Sequence, residues 1–430
     1  MVISSIDIQN GKVVQLKQGE ELVLQRDNAA ELAEEFNRYG EVAVIDLDAA
    51  MGKGSNLEMI KPLLRKAECR VGGGIRTPEQ ANELVSLGAE KVIIGSAAFR
   101  DPAKKGAGVS GGEFTVNISF LEAMSKKIGR QRLIVAVDAR ENEIVVDGWK
   151  TKTGLDLLEA AKAVEPFAGE LLFTCVEREG MMKGIDPVPI RRLREKVSCL
   201  ITVAGGVTTL NDVEEIASLG CDAQLGMALY TGKINLTDAF IASLNWKKDA
   251  SMLLPVIVQT KDGQVMMTGF TDTNALAETF KRGNVCFRSR TRNKLWMKGE
   301  NSGNVLKLVK MRADCDRDAL LAVAEPAGPV CHTGAWSCFT AGRNYTLEYL
   351  QDIIRERFRN PSSGSYTATL DDDLVREKVQ EEAKELCEAK NRDEVIWEAA
   401  DLLYFTTALM TRAGVSVRDV LNELDRRHKK

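Results

Sequence analysis

The sequence predicts a multidomain protein: a (β/α)8 barrel, then a small, mainly β, α+β zinc domain, then an all-α domain. Three observations predict it. A repeat in the first half places glycine turns at a fixed offset, a cluster of cysteines and aspartates follows, and apolar residues fall at helical spacing from Asn344 onward.

At 430 residues the chain exceeds what one core usually serves, although a barrel can use ~250 residues alone. Its hydrophobic content of 44% and charged content of 28% are those of a globular protein, so no segment is disordered by default. A net charge of −4 and a pI near 5.7 leave no basic field for nucleic acid, while small anionic ligands remain allowed. The N-terminus lacks a charged segment followed by an apolar one, and no apolar run approaches ~18 residues, so a cytoplasmic protein without a membrane partner is expected. Nine scattered cysteines argue for reduced thiols, and the clustered ones raise a metal hypothesis.

In the barrel, GGGIRTPEQANELVSLGAEKVIIGSAAF begins at Gly72 and AGGVTTLNDVEEIASLGCDAQLGMALY at Ala204, an offset of 132 residues. Each is a glycine turn, an amphipathic helix, a short strand and a second glycine turn. Apolar β-type runs at 42–45 and 133–137 alternate with helical patterns, the rhythm of a parallel sheet. Two copies of such a half make an eightfold barrel the economical fold. Asp7 in SIDI and Asp138 in AVDAR each end an apolar run and are 131 residues apart, so both belong at one barrel mouth. Carboxylates at the C-terminal ends of barrel strands occupy catalytic positions. The alternative is a pair of aspartates that cap turns. Residues 100–117, rich in Gly, Ser and Lys, are expected to form an exposed loop near the mouth. Periodicity breaks between Asn245 and Pro255, which divides the chain into 1–246, 252–343 and 344–430.

In the second domain, Asp314, Asp316 and Asp318 alternate in DCDRD after the alternating VLKLVKMRA. A strand or its end would send the three carboxylates to one face and Cys315 to the other. Carboxylate oxygens suit Mg²⁺ and thiolates suit Zn²⁺. Cys315, Cys331 and Cys338 are three soft ligands, and a three-ligand zinc site keeps a fourth position for water. His332, next to Cys331 in GPVCHTGAWSCF, points elsewhere if the segment is extended, and can serve as a general base beside the metal. A closed Cys₃His structural site is the alternative.

SRTRNKLWMKGENSG (289–303), DCDRD and CHTGAWSCF together closely resemble phosphoribosyl-AMP cyclohydrolase over about 255–339. The resemblance implies hydrolytic opening of an adenine ring, Zn²⁺ on Cys315, Cys331 and Cys338, and Mg²⁺ on Asp314, Asp316 and Asp318. It also implies substrate contacts at Arg290, Arg292 and Lys298, catalysis by His332, and a homodimer that shares zinc ligands through this domain. The H-x-E and P-C-x-x-C signature of nucleobase deaminases is absent.

In the third domain, Glu382 and Glu385 lie one helical turn apart, as do Glu398 and Asp401. Both pairs sit in apolar surroundings, and four converging carboxylates need a cation. The pattern is similar to phosphoribosyl-ATP pyrophosphohydrolase over about 346–427, an all-α Mg²⁺ enzyme whose ligands would be these four residues. The likeness implies a phosphate-side loop in SSGSYTATL and a phosphate contact at Lys378. Many members have His after LLY; here it is Phe405.

SIDI, VGGGIRT, IIGSAA, VDAR, GWKTKTG, AGGV and GMALYTGK resemble the phosphoribosylformimino isomerase of the histidine pathway. This implies acid and base roles for Asp7 and Asp138, assistance from Thr174, and phosphate binding at Gly73, Gly95, Gly205 and Gly226. The family's sixth-strand loop reads T-D-I-S-R-D-G, and this chain has TCVEREG, with Cys175 and Glu179 in place of the two acids. A barrel kept as a scaffold is therefore the alternative. For the whole chain the resemblances imply a fused histidine-biosynthesis enzyme acting on small nucleotides. Rival classes are a nucleotide sensor with structural zinc and a house-cleaning nucleoside triphosphate pyrophosphatase.

Overall fold

A computed structural model describes residues 1–100, 114–248, 250–362 and 364–428. The expected loop at 100–117 lies largely outside the described residues. Eight parallel strands, Val2–Gln9, Val42–Asp46, Cys69–Gly72, Lys91–Ile94, Leu133–Ala136, Glu170–Thr174, Leu200–Ala204 and Asp222–Leu225, run round in chain order. The eighth pairs with the first, Val2 opposite Ala223, and closes the barrel. Their apolar runs are buried because helices cover the outside and side chains such as Ile93, Ile134 and Leu172 fill the inside. A hairpin, Lys12–Lys17 with Glu21–Arg26, extends the first strand.

The repeat has a conformational cause. Gly73 and Gly205 have φ of +109° and +88°, and a Cβ there would lie 2.1 Å from the Asp46 carbonyl oxygen and 2.7 Å from that of Cys175. Only glycine fits where the backbone turns back so tightly.

The barrel floor is ionic. Arg70, 2% exposed, donates to Glu41 (3.0 Å), Glu170 (2.5 Å) and Thr202 (3.2 Å), and Lys91 bridges Glu41 and Glu170 at 3.0 and 3.1 Å. Burial alone would raise the Glu41 carboxyl, but Arg70 and Lys91 bring it down to about 2. Removing one partner from such a set strands buried charge. Arg70→Met is expected to destabilise the protein by about 3–5 kcal/mol, read from the chemical unfolding midpoint.

The segment after the barrel forms a four-stranded sheet in the order Val265–Thr271, Leu254–Gln259, Leu320–Pro326, Leu306–Ala313. The middle pair is parallel and the last pair antiparallel. Helix Thr273–Arg282, capped by Asp272, and hairpin Cys286–Ser289 with Lys294–Met297 complete it.

Residues 1–259 and 266–330 form one compact unit. Tyr39 of the barrel stacks on Phe280 at 4.2 Å between centroids, and the buried Lys310 ammonium reaches Asn37 (2.9 Å), the Gly40 carbonyl (3.1 Å) and Glu68 (2.6 Å). The sheet thus docks beside the N-terminal ends of barrel strands.

The second unit comprises residues 260–265 and the chain from 331 onward. Its helices, Leu347–Arg359, Asp372–Glu388, Arg392–Arg412 and Val417–His428, pack around Leu350, Ile354, Leu370, Val375, Phe405 and Ala408. Thr346, Asp371 and Asn391 cap the first three, their side-chain oxygens accepting from first-turn N–H groups. Among the described residues no helix is long and apolar enough to cross a membrane.

Candidate active sites

The first strand and the third to eighth deliver Asp7, Gly73, Gly95, Asp138, Thr174, Gly205 and Gly226 in turn to one cavity at the barrel mouth. The Asp7 carboxyl accepts from Ser5 Oγ at 2.7 Å and is pushed up to about 6 by burial, against that bond. Asp138 is raised by burial too, while Thr174 and the Trp149 indole N–H, 2.9 Å away, favour its charged form. Neither aspartate caps a helix among the described residues.

Glu179 lines the same cavity and was not assigned a role from the sequence. Burial first, then the nearby charges of Asp7 and Asp138, push its carboxyl up to about 7. The signal was its place five residues after Thr174, at the end of the sixth-strand loop. Two carboxyls in one mouth, one near 6 and one near 7, can take and give protons at neutral pH.

Asp314, Asp316 and Asp318 do converge, with carboxylate oxygens within 4.8 Å of one another, but not by strand alternation. The strand ends at Ala313 and DCDRD is the turn before Leu320. The extended-strand expectation is corrected here: Asp314 Oδ1 accepts from the N–H groups of Asp318 (3.0 Å) and Ala319 (3.1 Å), and Arg317 takes a left-handed φ of +63°. The turn, not the pleat, gathers the acids. Lys248 places its ammonium against Asp316 and Asp318, so these oxygens already hold positive charge.

The thiols divide between the units, Cys315 exposed in the first, Cys331 and Cys338 in the second. Residues 331–334 form a turn, not the extended segment expected, closed by Gly334 N–H to the Cys331 carbonyl at 3.1 Å. The His332 Nδ1 is 3.8 Å from Cys331 Sγ, beside the sulfur. The Thr333 hydroxyl, donating at 3.1 Å, is the main cause that holds the Cys331 thiol below its usual range. A lowered thiol suits metal ligation. In the first unit, Arg290 lies over the Phe270 ring at 3.8 Å, the Arg292 N–H donates to Ser289 Oγ at 3.2 Å, and the Lys298 N–H donates to the Val285 carbonyl at 3.1 Å.

Glu382, Glu385 and Glu398 bring carboxylate oxygens within 4.8 Å of one another across two antiparallel helices. Glu382, 7% exposed, is raised by burial and then by Asp401 and Glu385. Asp401 lines the cavity with Glu382, Lys378, Ser365 and Thr367, and Lys378 pairs with Glu381 at 2.5 Å. Arg357 also faces this cavity, 3.3 Å from Thr367 Oγ1, and sequence reasoning missed it because a last-turn arginine usually serves only its own helix end. Phe405 is core, edge-on to Tyr404 and Tyr366.

The family model for the histidine biosynthesis protein matches residues 1–235, more than half of the chain. The chain belongs to the histidine biosynthesis protein family. Models for phosphoribosyl-AMP cyclohydrolase and phosphoribosyl-ATP pyrophosphohydrolase match 267–340 and 347–428 in that order. Among curated relatives, a phosphoribosyl imidazole-4-carboxamide isomerase of Methanosphaera stadtmanae is 35% identical over 249 residues, 56% of this chain and 98% of the relative. The histidine biosynthesis bifunctional protein HisIE of Xanthomonas axonopodis is 42% identical over 195 residues, 44% of this chain and 94% of the relative. That of Pyrococcus furiosus is 37% identical over 207 residues, 45% and 99% respectively. This member of the family is thus a multidomain enzyme of histidine biosynthesis with cyclohydrolase and pyrophosphohydrolase domains.

Proposed function

We propose that the chain performs consecutive steps on one nucleotide. Residues 344–430 release pyrophosphate from phosphoribosyl-ATP, 252–343 open the adenine ring of the phosphoribosyl-AMP formed, and the barrel, 1–246, isomerises the opened product. The observation that carries this reading is that each matched segment has its own converged set of ionisable side chains. A sensor or a general pyrophosphatase has no use for all three.

The converged carboxylates fit the cation expected of them, and the thiols are of the soft donor type that zinc takes. Glu382, Glu385, Glu398 and Asp401 would hold Mg²⁺, as would Asp314, Asp316 and Asp318, the last two of which already accept the Lys248 ammonium; Cys315, Cys331 and Cys338 would hold Zn²⁺. Bound there, such ions supply Lewis acidity and charge neutralisation. The chain's own residues do the rest. Arg357 and Lys378 draw the triphosphate into the helical cavity. His332 takes a proton from the water that adds to the adenine ring, and Arg290, Arg292 and Lys298 bind the substrate's phosphates. A homodimer through residues 252–343 shares the zinc ligands, and the protein works in the cytoplasm.

In the barrel, the backbone N–H groups near Gly73 and Gly95 face those near Gly205 and Gly226, two ends for a substrate with two phosphates. Glu179 donates a proton to open the ribose ring, Asp7 removes the carbon-bound proton, and Asp138, held by Trp149 and Thr174, steadies them. Asp7 must be ionised, above about 6, and Glu179 protonated, below about 7. Isomerisation is therefore expected to peak between these values and fall on both sides, and Glu179→Gln to cost roughly 10²–10⁴-fold. A pH–rate profile of purified protein checks both.

A second reading keeps the barrel as a scaffold. Cys175 favours it: the thiol, pushed up to about 11 by burial and the Glu177 charge, stays neutral where relatives carry an acid. Supplying phosphoribosyl-ATP with Mg²⁺ and Zn²⁺ and identifying the end product by mass spectrometry and NMR separates the two. An opened but unisomerised ring selects the scaffold, and phosphoribosyl-ATP left intact refutes the whole scheme.

A further inference from the structure

The residue between the last two acids of the DCDRD turn does not serve the turn's own domain. The Arg317 side chain is 11% exposed and points into the barrel. Its Nη1 donates to the Ala217 carbonyl at 2.9 Å, and its Nη2 to the Cys221 carbonyl at 2.7 Å and Asp222 Oδ1 at 2.8 Å. Ala217 belongs to the last turn of barrel helix Leu210–Ser218, and Asp222 begins the strand that closes the barrel. Helix C-termini and a carboxylate both favour a guanidinium, and three acceptors fix its plane. The Arg317 carbonyl in turn accepts from the Asn245 N–H at 2.8 Å, just past the barrel. Arg317 is thus anchored by side chain and backbone while it holds φ at +63°, a conformation that costs a non-glycine residue about 1 kcal/mol or more.

We infer that the barrel is the positioning element of the cyclohydrolase cation site: Arg317, clamped to Asp222, Ala217 and Cys221, holds the left-handed turn that brings Asp314, Asp316 and Asp318 together. With its guanidinium taken up by Ala217, Cys221 and Asp222, Arg317 is a positioning residue that acts through its neighbours. The inference rests on the proposed cation role of the three acids. It gives the fused barrel a task in ring opening that is independent of any isomerase activity of its own.

The test uses the full chain carrying Glu382→Gln, Glu385→Gln, Glu398→Gln and Asp401→Asn, so that Mn²⁺ measured by electron paramagnetic resonance reports the acidic turn. Adding Arg317→Ala is expected to weaken Mn²⁺ binding by roughly tenfold or more, the usual effect of losing a residue that orients metal ligands. In the chain with intact helical carboxylates, Arg317→Ala is expected to slow ring opening at limiting Mg²⁺, to recover at saturating Mg²⁺, and to leave pyrophosphate release unchanged. Arg317→Lys keeps the charge beside Asp222 but not the planar fork, and should fall between. Unchanged Mn²⁺ affinity in Arg317→Ala, or ring opening that excess Mg²⁺ does not restore, overturns the inference. If Arg317→Ala loses cooperative unfolding, Arg317→Lys decides by the same criteria. The triple change Asp314→Asn, Asp316→Asn and Asp318→Asn is the separate control: if it retains the Mn²⁺ signal, the cation role itself is wrong.

Discussion

Glu382→Ala is expected to lower pyrophosphate release from phosphoribosyl-ATP by about a thousandfold while opening of the adenine ring of supplied phosphoribosyl-AMP continues at its full rate. Glu382 is the most buried of the helical carboxylates, and its carboxyl is raised first by burial and then by crowding with Asp401 and Glu385. A divalent cation relieves that crowding, and its removal from a phosphoryl-transfer site costs several kcal/mol of transition-state stabilisation, or about three decades in rate. Glu382→Ala should also tighten the protein slightly against heat in metal-free buffer, since one repelling charge is gone. Separate assays of pyrophosphate and of ring opening, each with its own substrate supplied, read the two effects. Ring opening lost together with pyrophosphate release, in a protein that still unfolds cooperatively, would falsify the assignment of the two steps to separate sites.

Cys331→Ala is expected to give the converse. The Cys331 thiol is lowered toward the thiolate by the Thr333 hydroxyl and neighbouring N–H groups. Thiolate is the metal-binding form, so its loss removes one of three soft ligands and should abolish both zinc retention and ring opening, again by about a thousandfold or more. Pyrophosphate release should persist. His332→Ala separates ligation from proton transfer: the ring sits 3.8 Å from the Cys331 sulfur, so zinc content should hold while ring opening falls by roughly 10²–10⁴-fold. Zinc lost with His332 would instead make the imidazole the fourth ligand and the site a closed structural one.

How far the sequence reached follows from the range of the interaction that sets each feature. Periodicity located the barrel strands and the C-terminal helices, because alternation and 3.6-residue spacing are local. Asp7 and Asp138 reached one mouth because a repeat must return equivalent residues to equivalent places. The acidic turn was found for a reason that did not hold: alternation in DCDRD suggested a pleated strand, but the acids meet through the Asp314 bonds and the left-handed Arg317. Residue type was the reliable part of that signal and backbone geometry was not.

By itself the sequence determined the three-part architecture, the repeat and the kinds of side chain gathered for each chemistry, since these follow from periodicity and from donor preferences that travel with residue type. The tertiary structure brought Glu179 into the mouth beside Asp7 and Asp138, where burial and then those two charges push its carboxyl up to about 7. It alone showed Arg357 facing the helical carboxylates and Arg317 turned into the barrel. Those facts depend on surfaces that meet only after folding, and no local pattern in the chain records which surface an arginine will meet.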